Sequence, residues 1–202
     1  MAHAEAHAEA TRMHASGPAV DAVSRAYPYY VRAFQSFVDA GRAEQAARFI
    51  AALRDFWWAR HWCREGLDWA VRVLALPDLS ELARATVLDH AAALAFADGQ
   101  HKLARGRLEA SLALRQGGGS PREIALTLNH FAAILRWGIQ DIQTAQATYF
   151  RSLSAAARAA DRQLIAAGIM PLGPMALDSG DIDGADALPG ASRMSDARSP
   201  NL

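Results

Sequence analysis

Apolar side chains recur at spacings of three and four residues along most of the chain, which is the pattern of amphipathic helices. The first clear stripe follows Pro28, a residue suited to open a helix, and precedes Gly41, a residue suited to end one. We expect that Pro18 opens a shorter helix before it. Alternating or continuously β-branched stretches are scarce, so the sequence predicts almost no sheet.

The same pattern continues as a series of paired helices joined by short loops. The expected ranges are 42–62, 64–76, 80–98, 100–115, 120–136 and 141–159, with a further helix starting at Asp161. The clearest start signal is Ser120-Pro121-Arg122-Glu123, in which Ser caps the helix, Pro takes the first helical position and Glu completes a capping box. The sequence therefore predicts an all-α fold of antiparallel helical hairpins.

Small and large residues return in the same order from one hairpin to the next. The second helix of each expected hairpin carries a small residue, at steps of 38, 41 and 40 residues: Gly66, Ala104, Ala145 and Ala185. A large residue follows four positions later and a Ser-Leu pair comes next in the two best-matched units, and one extra residue in the turn at 138–141 accounts for the longest step. Small residues let two helices approach closely, and stacked neighbours then bury the apolar faces that one hairpin cannot.

This order of small residue, turn, Ala, aromatic or Leu and Ser-Leu resembles the tetratricopeptide repeat, in units longer than usual. The stretch Phe56-Trp57-Trp58-Ala59-Arg60-His61, followed by Glu65-Gly66 and Trp69, resembles the repeat region of MalT/LuxR-type and AfsR-like bacterial ATP-binding transcriptional regulators. The resemblance covers about residues 28–188 and implies an α-solenoid. The phosphate-binding loop and the helix-turn-helix of those regulators have no match here, since Gly117-Gly118-Gly119-Ser120 lacks a following Gly-Lys.

The expected organisation is a disordered tail over 1–17, a tetratricopeptide-like domain over 18–188 and a disordered tail over 189–202. Pro171 and Pro174 interrupt the first helix of the fourth unit. We hypothesise from this damage that the gene is truncated or shifted in frame relative to a longer ancestor.

Composition and charge narrow the function classes. The chain is 51% hydrophobic, enough for a substantial core, and its formal net charge of zero disfavours direct binding to nucleic acid. No stretch approaches the roughly 18 apolar residues of a membrane span, and the first ten residues lack the pattern of a secretory signal. Cys63, the one cysteine, has no intrachain disulfide partner. We expect a cytoplasmic protein that binds no membrane.

His90 and His130 occupy equivalent places, each after a polar residue, and the resemblance implies that this position faces the concave groove of the stack. The predicted partner-binding residues are Thr86, Asp89, His90, Ala93, Phe96, Asn129, His130, Ala133 and Arg136. Two interpretations stay open: the histidines form a ligand-facing row, or they replace the Asn common at that place and bond a neighbouring helix. The Lys-and-Asn clamp for C-terminal carboxylates is missing.

The sequence predicts no catalytic set, cofactor or metal site. His61 and Cys63 are two positions apart, so on a helix they point to different sides, whereas a nucleophile pair must face each other. His3 and His7 have metal-ligand spacing, but a solvated terminus is the favoured interpretation. We predict a non-enzymatic protein that binds a protein or peptide segment and self-associates through its solenoid ends. A small-effector sensor and a gene remnant are the alternatives.

Overall fold

A computed structural model of the protein describes residues 18–178, and the side chains of residues 20–176. This part of the chain is all helical and contains no strand, as the sequence predicts. The helices are α1 (Pro18–Asp39), α2 (Ala43–Ala59), α3 (Cys63–Leu74), α4 (Glu81–Ala97), α5 (His101–Gln116), α6 (Pro121–Ile134), a π-helix (Leu135–Ile139), α7 (Ile142–Arg158), α8 (Arg162–Ile169) and α9 (Leu172–Asp178). The predicted tails over 1–17 and 189–202, and Ala185, lie outside the described residues.

The chain divides into two compact units, the first ending at Leu114 and the second beginning at Arg115. In unit 1, α2 packs against α1, α3 and α4, and α3 also packs against α4. In unit 2, α7 packs against α6, α8 and α9, and α6 also packs against α8. Within these two units, none of the described helices is both long enough and apolar enough to cross a membrane.

Four of the short turns between helices close with the same backbone motif. Gly41, His61, Gly99 and Ala160 adopt left-handed φ angles of 66, 58, 77 and 52°. The N–H of each donates to the carbonyl three residues earlier, and the next N–H donates to the carbonyl five residues earlier. This is the Schellman arrangement, which satisfies carbonyls left open at a helix end. The stop at Gly41 confirms the sequence prediction, whereas nothing in the composition marked His61 and Ala160.

The extra residue near 138–141 is absorbed by the π-helix. The α-helix expected to reach Arg136 ends at Ile134, and Gln140 then adopts a φ of 63°. The N–H of Asp141 bonds to the carbonyl of Leu135, six residues back, at 2.9 Å. The closing bond therefore spans one residue more than in the other turns, because a widened turn accommodates an insertion without breaking the helix.

Four of the five left-handed residues, all but Ala160, are followed five positions later by a small buried residue. Gly66 follows His61, and alanines take the equivalent places: Ala104 after Gly99 and Ala145 after Gln140. Seven residues after these alanines, a serine is fully buried in each unit. Ser111 Oγ donates to the carbonyl oxygen of Ala85 at 3.0 Å, and Ser152 Oγ donates to that of Ala125 at 2.8 Å. The serine of the repeat thus makes the same bond to the preceding helix in both units.

The Ser152 bond gives a test within unit 2. We expect Ser152→Ala to lower the free energy of unfolding by about 1 kcal/mol, because a buried hydrogen bond is lost while the alanine still fits. Ser154→Ala is the matched control, since the exposed Ser154 hydroxyl bonds only to Phe150 on its own helix. Urea unfolding followed by circular dichroism measures both. If both variants lowered the free energy of unfolding equally, the bond from Ser152 to the Ala125 carbonyl would not be the cause of the loss.

The predicted capping box is present at the start of α6. Ser120 Oγ accepts from the Glu123 N–H at 3.3 Å, and a Glu123 carboxylate oxygen accepts from the Ser120 N–H at 2.9 Å. Buried Arg115 lies 3.0 Å from the other carboxylate oxygen. The hydrogen bonds from Ser120, and then the charge of Arg115, hold the pKa of Glu123 below its usual 4.5.

This depressed pKa predicts a pH dependence of stability. A carboxyl with a lower pKa in the folded state stabilises fully above its unfolded pKa, and the contribution is lost as pH falls through the folded pKa. We therefore expect the wild-type chain to be more stable than Glu123→Gln at about pH 7, and the difference to vanish at about pH 3. Urea unfolding of both proteins at the two pH values measures it. A difference that persists undiminished in acid contradicts the assignment.

Two helix predictions are wrong in detail. Pro28 lies inside α1, which starts at Pro18, although an interior proline removes a hydrogen bond at a cost of about 3 kcal/mol. The helix tolerates it because Pro28 is exposed while Tyr27 and Phe34, on the opposite face, are buried. The helix expected over 42–62 is shorter at both ends, Ala43–Ala59, because His61 turns the chain.

Aromatic side chains form the core of unit 1. Trp57 is fully buried and its Nε1 donates to Tyr27 Oη at 2.8 Å. Phe34 stacks on Trp69 with ring centroids 3.9 Å apart. Trp62 remains 40% exposed. Trp57 and Trp69 therefore belong to the core of unit 1, whereas Trp62 lies at its edge.

The helix that follows Asp161 ends before Pro171, as the sequence predicts, whereas Pro174 lies inside α9. Asp161 caps α8 by accepting from the N–H groups of Gln163 and Leu164, as its predicted start requires. The helix ends at Ile169, and Pro171 lies in the turn before α9. Because α8 has only eight residues, the chain reverses earlier here than in the preceding hairpins.

Candidate functional site

In unit 1, α4 presents most of the predicted partner-binding residues on one partly exposed face. Thr86, His90 and Ala93 are half-buried and follow one another at spacings of four and three, so they lie side by side. The Thr86 hydroxyl donates to the carbonyl of Leu82 at 2.9 Å, on its own helix. Asp89 is buried and belongs to the inward face of α4 instead.

Phe96 lies at the end of this face, where α4 turns into α5. It is half-buried, and its ring centroid is 5.3 Å from that of His101 at an interplanar angle of 49°. The contact braces the aromatic ring against the first residue of the next helix. Thr86, His90, Ala93 and Phe96 are consequently together on α4, and we name this set the α4 face.

In unit 2, the equivalent surface is on α6. Asn129, His130 and Ala133 are half-buried there, and we name them the α6 face. The Asn129 side-chain nitrogen is shielded from solvent and has no hydrogen-bond acceptor among the described residues. The amide donor is therefore not committed to an internal bond within this part of the chain.

Arg136 is used inside unit 2. It is buried, and its Nη1 donates to the carbonyl of Pro171 at 2.7 Å. Its guanidinium also lies 4.4 Å from the ring centroid of Trp137. Arg136 thus connects the π-helix to the turn before α9. The sequence analysis predicted a groove residue at this position, but the side chain is buried and makes an internal contact.

The sequence analysis did not identify Trp137. This residue is 47% exposed and follows Ala133 by four positions, so helical spacing is the signal that could have identified it. Tryptophan and arginine are each enriched at binding hot spots, and here the two are in cation–π contact. Trp137 therefore extends the α6 face with its largest apolar side chain.

Burial raises the pKa of a tyrosine in unit 2 and of the cysteine in unit 1. Burial raises the pKa of Tyr149 to about 12, against the opposing positive charge of Arg136. Burial, and then the negative charge of Asp98, raise the pKa of the Cys63 thiol above its ordinary 9.0. Both groups are protonated near neutral pH. His61 is exposed in the turn two residues away from Cys63, so the two side chains occupy different environments.

Two cavities of the described chain lie away from these faces. One, of about 710 Å³, has all six lining residues on α1 between Val31 and Ala40 and is an open surface. The other, of about 380 Å³, lies between α6 and α7. Among the residues from 18 to 178, no cluster of His, Cys, Asp and Glu has the arrangement of a metal site. His3 and His7 are outside the described residues.

Comparison with known proteins relates the chain to a solved structure by fold. No protein-family profile and no curated protein sequence matches it. The structure is similar to that of BtubC (BKLC) from P. vanneervenii, with a TM-score of 0.65 and 19% sequence identity. The match covers 82% of this chain and 67% of BtubC. At this identity the likeness is one of fold alone.

Proposed function

We propose that the chain is a non-catalytic scaffold of tetratricopeptide-like hairpins that binds a protein or peptide segment on the α4 and α6 faces. The observation that carries the proposal is the recurring hairpin: a left-handed turn residue, a small buried residue five later and, in both units, a buried serine bonded to the preceding helix. Stacked hairpins of this kind form extended binding surfaces rather than enclosed pockets.

The chemistry of the two faces supports a peptide as the ligand. Phe96 and Trp137 supply apolar area for such a segment. The likeness to the repeats of bacterial transcriptional regulators favours a partner within transcriptional control in the cytoplasm. We propose no direct contact with nucleic acid or membrane, and self-association through the ends of the solenoid.

The test uses matched substitutions that block a face without removing a contact. A peptide that binds the full chain is first selected from a displayed library. We then expect Ala93→Glu and Ala133→Glu each to weaken its binding at least tenfold, or about 1.4 kcal/mol, by placing a charge on the half-buried face. Ala110→Glu and Ala147→Glu, on exposed positions of α5 and α7, are the controls and should change the affinity less than about twofold.

Titration by fluorescence anisotropy measures all four variants, and circular dichroism confirms that they fold. Equal weakening by face and control variants would contradict the assignment of the faces. If no peptide is selected, and one small molecule instead raises the melting temperature, the effector-sensing alternative is the correct one.

A further inference from the structure

The cleft between α6 and α7 of unit 2 lies apart from the proposed partner-binding faces. Ile124 and Leu128 of α6 form its apolar floor, and Arg151, Ser154 and Arg158 of α7 form its rim. Leu128 is buried, whereas both arginines are exposed. The spacing of three and four residues along α7 puts the three rim residues on the same side of that helix.

Three acidic side chains of unit 2 are engaged in other contacts. Glu123 pairs with Arg115 and Asp161 pairs with Arg122, each at 3.0 Å. Asp141 accepts a hydrogen bond from the N–H of Thr144 at the start of α7. Within the described part of unit 2, Arg151 and Arg158 make no ion pair. The cleft therefore combines an apolar floor with two available positive charges.

The sequence that follows α9 has the complementary chemistry. Residues 178–188 read Asp-Ser-Gly-Asp-Ile-Asp-Gly-Ala-Asp-Ala-Leu, and the next basic residue is Arg193. The segment thus contains four carboxylates and two large apolar residues, Ile182 and Leu188. A segment of this composition can place carboxylates on arginines while its apolar side chains cover an apolar floor.

We propose that residues 178–188 of the same chain bind in the α6–α7 cleft, with their aspartates on Arg151 and Arg158 and Ile182 on Ile124 and Leu128. The segment starts at the end of α9, which packs against α7, the helix that carries both arginines. Ten extended residues span up to about 33 Å, more than the roughly 10 Å diameter of a helix that the segment must pass. The proposal does not depend on partner binding by the α4 and α6 faces.

The scarcity of lysine makes this contact directly measurable. Lys102 is the one lysine among 21 basic residues, and a carbodiimide joins lysine amines, but not arginine, to carboxylates at zero length. In the full chain carrying Arg151→Lys, we expect cross-links from position 151 to Asp181, Asp183 or Asp186, identified by mass spectrometry. The matched control is Arg162→Lys, an exposed arginine on α8. Cross-links from position 151 should exceed those from position 162 at least tenfold.

Two further experiments test whether residues 178–188 of the same chain, or a second copy of the protein, fill the cleft. Replacing the three aspartates by asparagine in the Arg151→Lys chain should abolish the cross-links, as should 1 M salt, where the screening length is about 3 Å. Cross-linking an equal mixture of ¹⁴N and ¹⁵N chains should yield products of a single label. Mixed-label products would mean that a second copy fills the cleft, and would overturn the proposal.

The fourth hairpin expected from the sequence would give the opposite cross-linking result. It puts residues 178–188 against α8, so cross-links from position 162 that equal or exceed those from position 151 would also overturn the proposal. Circular dichroism confirms that both lysine variants fold as the wild-type chain does, which is expected because both arginines are exposed.

Discussion

Gly66→Ala is expected to lower the free energy of unfolding of unit 1 by roughly 1–3 kcal/mol, and Gly66→Val by more, because the helix pair has no room for a side chain there. A Cβ atom at Gly66 would lie 2.6 Å from Leu94 Cδ1 and 2.6 Å from Trp57 Cε3. Trp57 and Leu94 are both fully buried, so neither can move aside without opening the core.

Gly106→Ala is the matched control, because it makes the same substitution in the interior of α5 with the opposite expected sign. A Cβ atom at Gly106 meets nothing within 4 Å. We expect this variant to gain roughly 0.5–1 kcal/mol from the better helix propensity of alanine. Urea unfolding followed by circular dichroism measures both. Two variants that shift the unfolding midpoint in the same direction would refute the close packing at Gly66.

Trp57→Ala is expected to cost about 3–5 kcal/mol, the usual range for a large aromatic removed from a core. The side chain is fully buried, contacts the Gly66 backbone position and meets the Trp69 ring at a centroid distance of 5.2 Å. Removing it leaves a cavity and deprives Tyr27 Oη of its donor. Trp62→Ala is the control, since that ring is 40% exposed and should cost clearly less.

Tyr27→Phe isolates the hydrogen bond from the packing. The ring stays, but the buried Trp57 N–H loses its acceptor, so we expect a loss of roughly 1–3 kcal/mol. Burial raises the pKa of Tyr27 well above its ordinary 10.0, which keeps the phenol neutral under the conditions of the test. Urea unfolding is again the measurement. If Trp57→Ala lowered the free energy of unfolding no more than Trp62→Ala does, this cluster would not be the core of unit 1. The same conclusion would follow if Tyr27→Phe left the free energy of unfolding unchanged.

The helices and their turns could be predicted from the sequence because their determinants are local. A glycine stop, a serine cap and a small residue at a fixed distance act within one or two helical turns, so each leaves its own mark in the chain. Ser120 and Glu123 are the clearest case: both bonds of the predicted box are present. The prediction that a helix starts at Pro28 was wrong, because local signals do not report the burial of Tyr27 and Phe34 on the same helix.

The candidate site was less accessible, because exposure depends on neighbours that are remote in sequence. Helical spacing placed Thr86, His90 and Ala93 together correctly. It did not reveal that Arg136 reaches the carbonyl of Pro171, 35 residues away, or that Trp137 is left beside it with nearly half of its surface exposed. Residue type alone predicts an exposed arginine and a largely buried tryptophan, whereas here Arg136 is buried and Trp137 is nearly half exposed.

By itself the sequence determined the all-α class, the spacing of small buried residues and most helix ends, because these follow from helix propensity and capping. The tertiary structure decided how the extra residue near 138–141 is absorbed, which tryptophans are core and which face of α4 or α6 remains open. It also brought Ile124 and Leu128 beside Arg151 and Arg158, since contacts between helices are set by the packing of whole faces and not by neighbours along the chain.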